Sequence, residues 1–75
     1  MIVKILGSGC PNCKKLEANA KKAIKKKGIT ATLEKVEDIE QIMAYGVMST
    51  PALVVDEEVK IMGRVASPEE IAKHL

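Results

Sequence analysis

Aromatic residues are almost missing from this sequence: it has no Trp, no Phe and one Tyr, Tyr45. A surface that holds single-stranded nucleic acid by stacking bases on rings is therefore excluded. An excess of one charge is missing too. Twelve Lys and Arg stand against ten Asp and Glu, a net of +2. That falls short of the basic footprint of nucleic-acid binding. The longest apolar run, Pro51-Ala52-Leu53-Val54-Val55, is far below the roughly 20 residues of a membrane helix. The opening Met1-Ile2-Val3-Lys4-Ile5-Leu6 meets Gly7 too soon for a signal peptide, and a cytoplasmic protein is expected. Cysteine is scarce, with only Cys10 and Cys13. Secreted disulfide scaffolds carry several bridges that close longer loops. Structural zinc wants four ligands, and only His74 could join the two sulfurs.

What is present reads as one globular domain, residues 1–75. Its 75 residues are 47% apolar and 29% charged, and a chain of this length builds one core. Ile2 to Leu6 is a short β-branched run ending in Gly7-Ser8-Gly9, which predicts a buried strand and a tight turn. Pro11 suits the first position of a helix. At about 100° per residue, Cys13, Leu16, Ala20, Ala23 and Ile24 share one face, and six of the lysines between Lys14 and Lys26 lie opposite. Glu17 and Lys21 form a favourable (i, i+4) pair. Gly28 is a left-handed stop, with three lysines before it at the negative end of the helix dipole.

Ile29 to Val36 alternates as a half-buried strand, with Ile29, Ala31 and Leu33 inward and Glu34 outward. Asp38 and Gln41 have capping-box spacing. They open a short helix with Ile39, Ile42 and Met43 inward, Gly46 as its stop and Tyr45 packed at its end. Ala52–Val55 and Val59–Met62 form a hairpin around Asp56-Glu57-Glu58. Ser67-Pro68-Glu69-Glu70 opens a last helix with Ile71, Ala72 and Leu75 inward. The order β-α-β-α-β-β-α predicts an α/β fold. Its first two strands are parallel through a right-handed crossover. The hairpin completes a mixed four-stranded sheet with helices on both faces.

Cys10-Pro11-Asn12-Cys13 places a C-x-x-C between a strand and a helix, the context of a redox dithiol. Unpaired N–H groups and the dipole at a helix start favour an anion, so Cys10 is expected to be the low-pKa attacking thiol. Cys13, on the inward face, is placed to resolve a mixed disulfide on Cys10. A structural bridge is a poor alternative, because closing a four-residue loop is worth only about 2 kcal/mol. A two-thiolate carrier of copper or zinc is the runner-up. Small carriers of that kind run β-α-β-β-α-β and end in a strand, whereas this chain ends in a capped helix. The lysine face reads as a solvated helix back, and His74 as a solvent residue near the C-terminus.

The motifs Ser8-Gly9-Cys10-Pro11-Asn12-Cys13-Lys14, Val47-Met48-Ser49-Thr50-Pro51-Ala52-Leu53-Val54-Val55 and Gly63-Arg64 resemble the thioredoxin superfamily. The likeness is to the small prokaryotic glutaredoxin-like redox disulfide proteins. It implies the thioredoxin-like fold and thiol–disulfide exchange through Cys10 and Cys13 without a cofactor. It implies that Pro51 is cis beside the sulfurs, that Thr50 offers its backbone to an extended substrate, and that Gly63 flanks the site. Pro11, Asn12, Thr50, Pro51 and Gly63 become the expected substrate-binding residues. The partners are disulfide-bearing proteins and a thioredoxin-reductase-like or other reductase, with the chain acting as a monomer. Two departures stand out. Gly9 replaces the Trp of typical thioredoxins, and Asn12 replaces the Tyr of typical glutaredoxins. No buried carboxylate stands out in the sequence as proton acceptor for Cys13.

Overall fold

The computed structural model describes residues 1–75. Seven elements follow in order: β1 (Ile2–Leu6), α1 (Pro11–Lys27), β2 (Thr32–Val36), α2 (Ile39–Ala44), β3 (Ala52–Val55), β4 (Glu58–Met62) and α3 (Pro68–Ala72). The strands lie in the order β2-β1-β3-β4. β1 runs parallel to β2, and both β1–β3 and β3–β4 are antiparallel. The expected α/β architecture and mixed sheet are therefore present.

Strand alternation divides the core between the two faces of the sheet. On one face Val3, Ile5, Leu53, Val55 and Ile61 meet Leu16, Ala20 and Ala23 of α1 and Ile71 of α3. On the other, Leu6, Ala52 and Val54 meet Ile42 of α2 and Val47. No polar or charged side chain is buried, so the core stays apolar and the polar chemistry stays at the rims.

The ends of α1 follow from its sequence. Cys10 is the N-cap, Pro11 follows, and Gly28 closes the helix at φ 66° with its N–H on the carbonyls of Ile24 and Lys25. All seven lysines of this helix are exposed. In α2 the outcome differs from the alternation read in the sequence. Ile42 is buried, but Ile39 and Met43 are 70% and 67% exposed. A six-residue helix turns only one side chain squarely onto the sheet, and Val47 fills the space beyond. Asp38 caps α2 through the N–H of Glu40 at 2.9 Å rather than in a box with Gln41. β2 begins at Thr32 rather than Ile29, with Ala31 and Leu33 still half-buried against the core.

The hairpin turn is tighter than expected. Asp56 and Glu57 alone connect β3 to β4, both at positive φ, 49° and 70°. Two left-handed residues give the turn that matches the strand twist, and two tethers hold them there. Asp56 accepts from the Ile2 N–H at 2.9 Å. The Glu57 carboxylate lies 2.8 Å from Lys4 Nζ, which also donates to the Tyr45 hydroxyl at 2.7 Å. The Lys4 hydrogen bond holds the Glu57 carboxyl below its ordinary pKa. The Glu57 and Tyr45 hydrogen bonds hold the Lys4 ammonium above its own. Tyr45, read in the sequence as a packed residue, thus also ties α2 to β1.

Leu16 is fully buried and Met48 is 92% exposed. Leu16→Ala should therefore lower stability by about 2–5 kcal/mol, most of what a domain this small holds. Met48→Ala should fall within about 0.5 kcal/mol of the parent. Urea denaturation of the two variants checks both values.

Candidate active site

The candidate site begins where β1 ends. The Gly7 N–H donates to the Val36 carbonyl at 2.9 Å, extending the pairing of β1 with β2 past Leu6. Ser8 and Gly9 then turn the chain, with Gly9 at φ 84°, a conformation that favours glycine. Cys10 is extended (φ −66°, ψ 162°) and opens α1. Its Sγ accepts the N–H of Cys13 at 3.2 Å, and its carbonyl accepts the N–H of Lys14 at 3.1 Å. The helix therefore supplies Cys10 with an N–H donor and the positive end of its dipole. Its first turn contains no acidic residue.

Cys10 and Cys13 are joined as a disulfide, with Cα atoms 5.0 Å apart. The two sulfurs occupy different settings. Cys13 is 5% exposed on the covered face of α1, while Cys10 is half-exposed at its tip. Pro11 and Asn12 are exposed between them.

The second expected motif lies close by. The Thr50–Pro51 bond is cis and Pro51 is buried. A Cβ placed on Gly7 would stand 3.8 Å from Thr50 Cβ and would collide with Cys13 Sγ. Thr50 and Cys13 thus meet over the same glycine. Gly63 follows β4 at φ 77° and donates its N–H to the Pro51 carbonyl at 2.9 Å. A Cβ on Gly63 would come within 3.0 Å of Ser49. The loop before β3, the end of β4 and the β1–α1 turn therefore form one contiguous structure. Arg64, next to Gly63, is taken up by a bidentate pair with Glu70.

Two features went unread in the sequence. A groove of about 370 Å³ opens beside the disulfide loop, bounded by Ser8, Glu37, Ile39, Met43, Met48 and Thr50. Its apolar rim is made by residues read as core, Ile39 and Met43, together with the exposed Met48. The warning signal was three apolar residues on a helix of under two turns. The second feature is a small cavity of about 30 Å³ shared by Cys13, Glu17, Lys35 and Glu37. Glu17 lies 3.9 Å from Lys21 and 3.6 Å from Lys35. Carboxylates thus stand near Cys13 from α1 and from the end of β2, while Glu34 is exposed as expected.

No group of three or more His, Cys, Asp and Glu side chains converges as a metal-binding set. His74 is half-buried at the end of α3, its N–H on the Ile71 carbonyl. A helix, α2, stands between β2 and β3, where the β-α-β-β-α-β order of small metal carriers has two successive strands.

A strand ending at a C-x-x-C helix cap, backed by a Thr-Pro loop and a hairpin, defines a dithiol oxidoreductase of thioredoxin-like architecture. Comparison with known proteins agrees. The family model described as "Thioredoxin domain" matches residues 1–75. The sequence is 52% identical over 75 residues to a thioredoxin of Methanothermobacter thermautotrophicus, covering all of this chain and 97% of that one. It is 36% identical to a thioredoxin of Methanocaldococcus jannaschii, covering all of this chain and 86% of that one. The chain belongs to the thioredoxin domain family, and its activity is thiol–disulfide exchange through Cys10 and Cys13.

The unequal settings of the two sulfurs have a direct consequence in the reduced protein. Limiting iodoacetamide should modify Cys10 first, with Cys13 following slowly. Peptide mass mapping of the singly alkylated protein reads the order, and faster modification of Cys13 would contradict the geometry.

Proposed function

We propose that Cys10 is the nucleophile and Cys13 the resolving thiol in the reduction of protein disulfides. The observation that carries this division is burial: Cys10 caps α1 within reach of solvent, and Cys13 is 5% exposed. The Cys10 thiolate attacks a substrate sulfur, and the substrate's other sulfur leaves as a thiolate. Cys13, deprotonated, attacks Cys10 Sγ and closes the internal bond. The second substrate sulfur departs and is protonated by water. The substrate gains two electrons and the protein becomes the disulfide. No cofactor enters, because the sulfur pair carries both electrons.

The substrate side is assigned to Pro11, Asn12, Thr50, Pro51 and Gly63. Thr50 supports this reading, since neither its N–H nor its carbonyl has a backbone partner in the chain. An extended cystine-bearing segment can pair with it as a short added strand. The apolar rim of Ile39, Met43 and Met48 offers that segment a place for a neighbouring side chain. A reductase then returns the protein to the dithiol. We place this cycle in the cytoplasm, where reductases keep thiols reduced, and assign it to residues 1–75 as one monomeric domain. No helix is long and apolar enough to cross a membrane.

Without Cys13, an adduct on Cys10 has no internal route of release. Cys13→Ser should accumulate a covalent mixed disulfide with a protein substrate such as insulin, visible as a thiol-reversible band on a nonreducing gel. Cys10→Ser should trap little. Equal trapping by both variants would overturn the division of roles.

A further inference from the structure

Four of the five glycines, Gly9, Gly28, Gly46 and Gly63, have positive φ. Gly7 does not, so turn geometry is not what requires glycine there. Space is. A Cβ on Gly7 would overlap Cys13 Sγ and would lie 3.2 Å from Cys13 Cβ. Carbon packs against sulfur only at ordinary van der Waals separation, so one of the two residues would have to move.

Neither is free to move. Gly7 is buried and fixed to β2 by its N–H bond to the Val36 carbonyl at 2.9 Å. Cys13 is fixed from the opposite side. Its N–H is held by Cys10 Sγ, and its helix face is locked into the core by Leu16 and Ala20. The two backbones are anchored independently, and the sulfur fits between them only because residue 7 has no side chain.

We infer that Gly7 is a positioning residue for the second half of the exchange: its bare Cα seats the Cys13 sulfur in the place it occupies when the internal disulfide closes. This rests on the assignment of Cys13 as the resolving thiol. In that step the electron pair of the Cys13 thiolate forms the bond to Cys10 Sγ. The bond from Cys10 to the substrate breaks, and the departing sulfur keeps the pair and takes a proton from water. Cys13 Sγ must reach its closed position for this to happen, and a methyl group on residue 7 occupies that position. The first attack, by Cys10 from the tip of α1, does not use it. The two half-reactions therefore respond differently to the same small substitution.

Gly7→Ala is the test. Reduced protein is mixed with a limiting amount of dithiobis-nitrobenzoate, which releases one coloured thiolate on the first attack and a second on resolution. The first release should keep nearly the wild-type rate. The second should slow on the order of 10- to 100-fold, the usual penalty for a misplaced reacting group. The nitrobenzoate adduct should persist by mass spectrometry after acid quenching. A general loss of structure would slow both phases alike, and a second release at the wild-type rate would also overturn the inference. Cys13→Ser in the same assay separates this outcome from failure of the underlying roles. If that variant releases the second thiolate at a rate independent of protein concentration, so that no second molecule's Cys10 is the attacker, the assignment of Cys13 itself is wrong. If Gly7→Ala does not fold, Gly7→Ala combined with Cys13→Ala decides. Recovery of the fold once the sulfur is removed identifies the collision as the cause, and continued unfolding refutes it.

Discussion

The Cys13 amide donating to the Cys10 sulfur is the contact around which the rest of the molecule is arranged. It exists because Cys10 stands at the N-cap, where a side-chain acceptor satisfies one of the amides that the helix cannot pair internally. Ser, Asp and Asn usually fill that position with oxygen. Sulfur in their place couples the start of the helix to a reactive group. When the disulfide opens, the same amide and the same dipole act on a thiolate, and hydrogen bonds to charged acceptors are the stronger ones. The proposed reactivity of Cys10 thus follows from a need that any helix has.

The remaining structure holds that cap in place. β1 is central in the sheet and delivers the chain to the turn. Pro11 preorganises the first helical residue. Leu16, Ala20 and Ala23 anchor α1 to the sheet, so Cys13 has no freedom to turn outward. Charge is divided to match: α1 carries seven lysines and one glutamate, while acidic residues gather just before and at the start of α2, in the hairpin and in α3. The lysines just before Gly28 suit the negative end of the helix. Beside the disulfide loop, Lys14 and Lys35 share a small cavity with Glu17, Glu37 and Cys13. A partner approaching this face meets both signs of charge around an apolar rim.

Much of this was legible in the sequence, and the failures share a cause. The β1 run, the Cys10–Lys27 segment and the Ser67 cap were readable because each is decided locally by period, proline and capping chemistry. Ser67 Oγ does accept the Glu70 N–H, at 3.2 Å. α2 was misread because its burial is decided by the sheet beneath it. Ile39 and Met43 carry the helical period, but the fold gives them nothing to pack against. The Asp56-Glu57 turn was read one residue too long because ordinary preference puts Asn or Asp first and Gly second at two left-handed positions, and Glu57 stands where Gly is expected. Tethers from Ile2, Lys4 and Tyr45, distant in sequence, override that preference. The two sulfurs and the Thr-Pro loop were legible as motifs. The contact of Cys13 with Gly7, the carboxylates around Cys13 and the link from Gly63 to Pro51 were not, because each joins segments that only the folded sheet brings together.

The central claim is that the start of α1 makes the Cys10 thiol more acidic than an ordinary one. The most direct measurement is the ultraviolet absorbance of the thiolate against pH in the reduced Cys13→Ser protein, where Cys10 titrates alone. The account predicts a midpoint clearly below the ordinary thiol value of about 8.5. A midpoint at or above that value would show that the helix cap does not activate the sulfur, and the account would fail at its foundation.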